Sequence, residues 1–325
     1  MYRLFSRNTP LAYAAMLLIL IGLRGRMIYD PARFVVADTP DLFSPLWTAV
    51  MGHIVPGSTL SLVMVIAVTF LCALIVNNIV NRYSLSQERG ALGGLFFIIL
   101  CGGFRLSLAF QPCVLFALAL IWGVDRLFSA TNKTRPYASV AWGFGIVSIG
   151  CLFWAKGLCF LPFLLILMSL LRIGGGRSYT AAFVGVAGVA AVALTLTLLT
   201  DSPLEVWRAY VRSGLATQPY WRLGPVSITY LVIELGITLF AVLSSQRHLL
   251  EMSITASRKV RAAEWMLFYA ILLILLPGFS CEIQILVAIG ASMLLPRFVN
   301  GIRNDKVREA IPLVMTAAAA WLIYI

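Results

Sequence analysis

The chain has 325 residues, 61% of them apolar and only 12% charged. An ordinary soluble domain carries about a quarter charged residues, so the composition excludes one and points to a membrane protein. A net charge of +12 would suit a nucleic-acid binder. Here, however, the basic residues stand in short gaps between apolar runs, the pattern of loops held on one side of a membrane, so no nucleic-acid partner is expected.

A membrane-crossing helix needs about 20 apolar residues, or somewhat fewer where flanking groups snorkel. The qualifying runs lie near 8 to 24, 59 to 81, 90 to 104, 110 to 128, 139 to 155, 157 to 172, 180 to 200, 225 to 245, 263 to 277, 279 to 296 and 310 to 325. They predict an all-α, polytopic transmembrane bundle of about 11 spans in a single domain covering residues 1 to 325. Arg3 and Arg7 precede the first run as in a signal peptide, but no small-residue cleavage pattern follows closely, so the run reads as an uncleaved span. The pairs 90 to 128, 139 to 172 and 263 to 296 are split only at "GGFRLSLAFQP", "WAKGL" and "LPGFS", which predicts three tight helical hairpins.

Charge then orients the bundle. With a cytosolic N-terminus, 17 of the 25 basic residues fall on the inner side and the C-terminus lies outside, as the positive-inside rule requires. The two longest outer loops are 24 to 58 and 201 to 225. Both mix charge with aromatic residues, including Trp47, Trp207, Tyr210 and Trp221, and suit helices lying along the interface. The expected location is the cell inner membrane, multi-pass, in contact with membrane lipids.

The first outer loop opens with "LRGRMIYDPARFVVADTPDLFSP", which gathers Arg24, Arg26 and Arg33 with Asp30, Asp38 and Asp41. The outer cations Arg105, Lys156, Arg208, Arg212 and Arg222 run against the overall charge bias. A phosphate at headgroup depth is a natural partner for them, since Arg offers a planar fork and Lys a point charge. Contact with ordinary headgroups or nearby acids is the alternative. Asp30, Asp38 and Asp41 are candidate general bases, because a carboxylate beside an acceptor hydroxyl can take its proton. Asp38 and Asp41 equally suit helix caps, each standing near a proline. Glu234 lies inside the eighth apolar run, where an ionisable group is a functional candidate by default: an interhelical anchor or a proton carrier. Asn77, Asn78 and Asn81 read as interhelical glue, and the six cysteines as small packing residues. No ligand spacing indicates a metal, and no motif assigns a cofactor.

Three stretches carry a family likeness: "LFSRNTPLAYAAMLLIL", "LSLAFQPCVLFALALIWGVDRLFSA" and "AWGFGIVSIGCLFWAKGLCFLPFLLILMSLLRIGGGRSYTAAFVGVAG". They resemble a family of uncharacterised multi-spanning inner-membrane proteins of Bacteroidota, over roughly residues 1 to 200, which implies an envelope protein and supplies no active-site residues. More loosely, the inside N-terminus, single span and long first outer loop resemble the C-type glycosyltransferases. That resemblance implies transfer of a sugar from a polyprenyl-phosphate carrier, with Asp30, Asp38 or Asp41 as the essential acid. The superfamily's acids are usually adjacent or nearly so, whereas Thr39 and Pro40 separate Asp38 from Asp41, and no soluble acceptor domain is expected within these residues. The leading expectation is therefore a C-type-like transferase. The alternatives are a non-catalytic component of envelope assembly or export with protein partners on its outer loops, and, third, a transporter built around Glu234.

Overall fold

The structure is a computed structural model that describes residues 1–29, 44, 46–47, 54, 58–103, 110–131, 133–198, 202–215, 225–248, 253–274, 276, 279 and 283–324. Among these residues there are thirteen α-helices and no strand. In chain order they are α1 (Tyr2–Phe5), α2 (Pro10–Tyr29), α3 (Thr59–Arg82), α4 (Leu92–Gly102), α5 (Pro112–Ala130), α6 (Tyr137–Phe153) and α7 (Phe160–Leu170). There follow α8 (Gly176–Leu198), α9 (Pro203–Leu215), α10 (Pro225–His248), α11 (Ile254–Ile274), α12 (Gln284–Asn300) and α13 (Asp305–Tyr324), and a 3-10 turn, Ala155–Cys159, joins α6 to α7. Each of the eleven apolar runs coincides with a helix, and α1 and α9 are additional.

Three helices, α3, α5 and α8, are long and apolar enough to cross a membrane. The surface matches that reading. Leu18, Trp142, Phe183, Val184, Phe240 and Trp321 all point outward, an apolar exterior that water would penalise and lipid would not. Inside, close approach depends on small residues. α6 lies between α5 and α8, and a Cβ on Gly123 of α5 would stand 2.9 Å from the carbonyl oxygen of Gly143 in α6. A Cβ on Gly185 of α8 would run into the carbonyl oxygen of Ala141. Without a hydrophobic drive between helices in lipid, such backbone contact is what holds neighbours together.

The helix α4 departs from the expected pattern. Its 11 residues cover about 16 Å at ~1.5 Å per residue, half of a ~30 Å hydrocarbon core. All eleven are buried. It packs mainly against α12, α3, α2 and α13 instead of folding back on α5, so residues 90 to 128 do not form the expected hairpin. Hydrophobicity all round its circumference marks a helix with no lipid face. Residues 263 to 296 do form the expected pair, as α11 against α12, while α6 and α7 meet chiefly through the 3-10 turn.

Polar contacts sort the helix ends into two groups. At one end Tyr2 donates to Glu88 at 2.7 Å and to Asn300 at 3.0 Å, Arg3 pairs with Glu309, and Arg82 and Tyr83 meet Asp125. At the other, Arg26 donates to the carbonyl of Ile323, Tyr210 to Cys151 and Ser44 to Phe153.

The glycine contacts give a paired test. Gly185→Ala should destabilise the protein by roughly 1–3 kcal/mol, because α6 and α8 must part to admit the methyl group. Gly188→Ala, three residues on, meets nothing within 4 Å and should be neutral or slightly stabilising. Thermal unfolding of both variants in detergent checks the contrast.

Candidate functional site

The C-terminus of α6 is where the two long connecting segments meet. The last four carbonyls of a helix lack intrahelical donors and must find others. Trp154 closes back on Gly150 at 3.1 Å. The Tyr210 hydroxyl then donates to Cys151 O at 2.9 Å, and the Ser44 hydroxyl to Phe153 O at 2.5 Å. One partner comes from the segment between α8 and α10, the other from that between α2 and α3. Burial, and the neighbouring Cys151, push the Tyr210 phenol pKa up, so it stays a donor. Trp154 stacks at an angle on Phe116, with ring centroids 5.2 Å apart, and reaches Phe279. Behind this anchor runs the 3-10 turn with Lys156, which is only 6% exposed.

The helix α9 explains how the second segment settles there. Tyr210, Ser213 and Gly214 face the bundle, with Gly214 beside Ala155, and Trp207 donates to Thr197 at 3.1 Å. Leu204, Arg208, Val211, Arg212 and Leu215 face outward. Apolar and cationic residues on one exposed face suit a helix lying at a lipid headgroup boundary, as the sequence predicts. The structure therefore separates two groups of expected phosphate partners: Lys156 is buried under α9, whereas Arg208 and Arg212 project from its far face. Asp30, Asp38, Asp41, Arg105 and Arg222 lie outside the described residues.

A second polar locus runs through the bundle beside α4. Arg24 is fully buried and donates from Nη2 to the Thr69 hydroxyl at 3.1 Å. It belongs to α2, which continues to Tyr29, and not to a surface loop beginning at residue 24. Also in the bundle, Glu234 of α10 is 2% exposed and accepts a hydrogen bond from the Gln284 amide of α12. Tyr230, one turn earlier, donates to Ile99 O of α4 at 3.2 Å. Glu234 thus takes part in a hydrogen bond between α10 and α12. Asn77 and Asn81 behave similarly: Asn77 donates to the Tyr13 hydroxyl at 2.9 Å, and Asn81 clasps the backbone of Gly90. Asn78, one residue round the helix, faces outward.

Sequence reasoning missed Gln284, Ser44 and the anchoring role of Tyr210. Gln284 had a readable signal, being an amide at the head of an apolar run. Ser44 and Tyr210 had none, since their partners are backbone carbonyls. Among the described residues no group of three or more His, Cys, Asp or Glu could hold a metal. No protein-family model, curated protein or solved structure matches the chain.

The Glu234–Gln284 contact yields a double-mutant test. Glu234→Leu leaves the Gln284 amide buried without its acceptor and should cost roughly 1–3 kcal/mol. Glu234→Leu combined with Gln284→Leu should recover most of that loss, because an apolar pair replaces a polar one. Unfolding midpoints of the two single variants and the double variant in detergent read the coupling.

Proposed function

We propose that the chain is a multi-pass inner-membrane protein that handles a polyprenyl-phosphate-linked sugar at its outer leaflet, in the manner of a C-type-like glycosyltransferase. The proposed topology has about eleven crossings, with the N-terminus inside and the C-terminus outside. The observation that supports the reading is the Ser44–Phe153 hydrogen bond, 2.5 Å long. Asp41 precedes Ser44 by three residues and Lys156 follows Phe153 by three, so the covalent chain tethers a candidate base and a candidate phosphate partner to the two sides of one bond. Three residues reach at most about 11 Å even when extended. Tyr210 holds α9 against the same helix end, and α9 presents Arg208 and Arg212 outward, where a lipid phosphate arrives.

The chemistry follows from those roles. One of Asp30, Asp38 and Asp41 accepts the proton of the acceptor hydroxyl, whose oxygen attacks the sugar's anomeric carbon. The bond from that carbon to the phosphate oxygen breaks, and the carrier phosphate leaves with the electron pair. Lys156, Arg105 and Arg222 stabilise the charge that develops on it, while Arg208 and Arg212 gather the carrier at the membrane surface. A transporter reading draws on one observation of its own: Arg24 and Glu234 are both buried in the bundle.

Replacing Asp30, Asp38 and Asp41 together by Asn preserves shape and removes the proton acceptor. Such a variant should lose roughly 10²–10⁴-fold in transfer rate, at unchanged protein level. Lys156→Gln should instead weaken retention of the carrier. Complementation of a deletion strain, read by envelope glycan profile and membrane abundance, checks both. Full glycan transfer by the triple Asn variant would remove the base from the account.

A further inference from the structure

At the end of the bundle opposite Lys156, three chain segments that are distant in sequence enclose a cavity of ≈ 390 Å³. This is within the size range of small-ligand sites, about 300–1,000 Å³. The first wall is the end of α3, with Arg82, Tyr83 and Ser84; the second is Ser129 and Lys133 at the end of α5 and just beyond. The third is the start of α11 and the residue before it, with Ser253, Thr255 and Lys259.

The charge balance of this cavity is uneven. No acid stands among the described lining residues, and Asp125 is engaged by two of them: Arg82 pairs with its Oδ2 at 3.9 Å and Tyr83 donates to its Oδ1 at 3.0 Å. Lys259 is 3% exposed and lies over the Tyr83 ring, 4.2 Å from its centroid. No carboxylate among the described residues forms an ion pair with it. Burial, then the neighbouring Arg82 guanidinium, lower its pKa, with Asp125 pulling the other way. A buried ammonium held beside a second cation is expensive unless an anion joins it. Lys133 adds a third cation, positioned by its 2.6 Å bond to the Ser139 hydroxyl.

The donors are of matching kind. Ser84 takes a left-handed backbone, φ 53°, where it ends α3 and Leu85 returns to bond Val80 O at 3.0 Å. Glycine fills that position at lower cost, so a serine there bears strain while placing a hydroxyl on the cavity wall. Ser129, Ser253 and Thr255 supply further hydroxyls. Cations and hydroxyls lining one space are a recognition set for a phosphate group.

We propose that this cavity binds a phosphate group, borne on a lipid headgroup or on a soluble molecule. Lys259 is its central contact, with Lys133, Arg82 and the surrounding hydroxyls completing the cradle. The assignment stands independently of the transferase reading, which concerns the opposite end.

The test uses the full chain in two settings. In neutral detergent it is titrated with inorganic phosphate at constant ionic strength by calorimetry. In phosphatidylcholine nanodiscs containing phosphatidic acid, retained lipid is counted by native mass spectrometry. Binding in the first alone identifies a soluble ligand, and retention of phosphatidic acid identifies a headgroup; either supports the site. Lys259→Gln and Lys133→Gln should each weaken the positive probe by about tenfold or more, as loss of a charge-assisted hydrogen bond requires. Arg89→Gln removes an exposed cation that does not line the cavity and should change nothing. Lys133 is exposed, so its variant reports even where Lys259→Gln fails to fold. Absence of binding in both settings, or an equal loss in Arg89→Gln, overturns the proposal.

Discussion

The bidentate clasp between the Asn81 side chain and the backbone of Gly90 is the interaction on which the centre of the bundle depends. Asn81 donates to Gly90 O at 2.8 Å and accepts from Gly90 N at 3.1 Å. Next to it, Ala91 N–H bonds Phe5 O at 2.7 Å. Together these satisfy the entrance to α4, a helix too short to carry both of its ends to water. A buried backbone group without a partner costs several kcal/mol in an apolar medium. The short helix is tolerated only because α1 and α3 supply those partners, and its other end is met by the Tyr230 hydroxyl at Ile99 O. Any side chain on Gly90 would collide with Phe5 and Ser6 backbone, so glycine is required there.

The same accounting shapes the two ends. At the α6 terminus the orphan carbonyls recruit Ser44 and Tyr210, and in doing so draw both long connections to one place. At the opposite end Glu88, Tyr2, Asn300 and Ser86 form a hydrogen-bonded chain, while the charged groups among the described residues lining the cavity beside Lys259 are all cations. Helix termini gather many of the polar contacts of this bundle, because most of each helix face must suit lipid or another helix.

Hydropathy made the helices legible: every apolar run became one, and the mixed segment around Trp207 became an amphipathic helix. Asn77 and Asn81 were readable as glue, since an amide in an apolar run must find a partner. What the residues could not reveal was which helices touch. The burial of α4 comes from its tertiary setting, since a run of eleven apolar residues reads equally as half of a hairpin. Arg24 looks like a surface charge from its neighbours and is instead buried against Thr69, 45 residues on. The Lys259–Tyr83 cavity was hidden for the same reason, its walls being far apart in sequence. The candidate site was legible only in part: Lys156 stood out by charge, while Ser44 and Tyr210 act through backbone atoms that leave no pattern.

The proposed topology sets the two ends of this bundle on opposite sides of a membrane, with the Lys259 cavity inside and the α6 anchor outside. Thr134 and Ser202 are both exposed, one beside each end. Single cysteines placed there, in a background with the exposed Cys159 replaced by Ser, can be probed in intact cells and in opened membranes with an impermeant maleimide. The account predicts labelling of Ser202→Cys in intact cells and of Thr134→Cys only after opening. Labelling of both from the same side would contradict it.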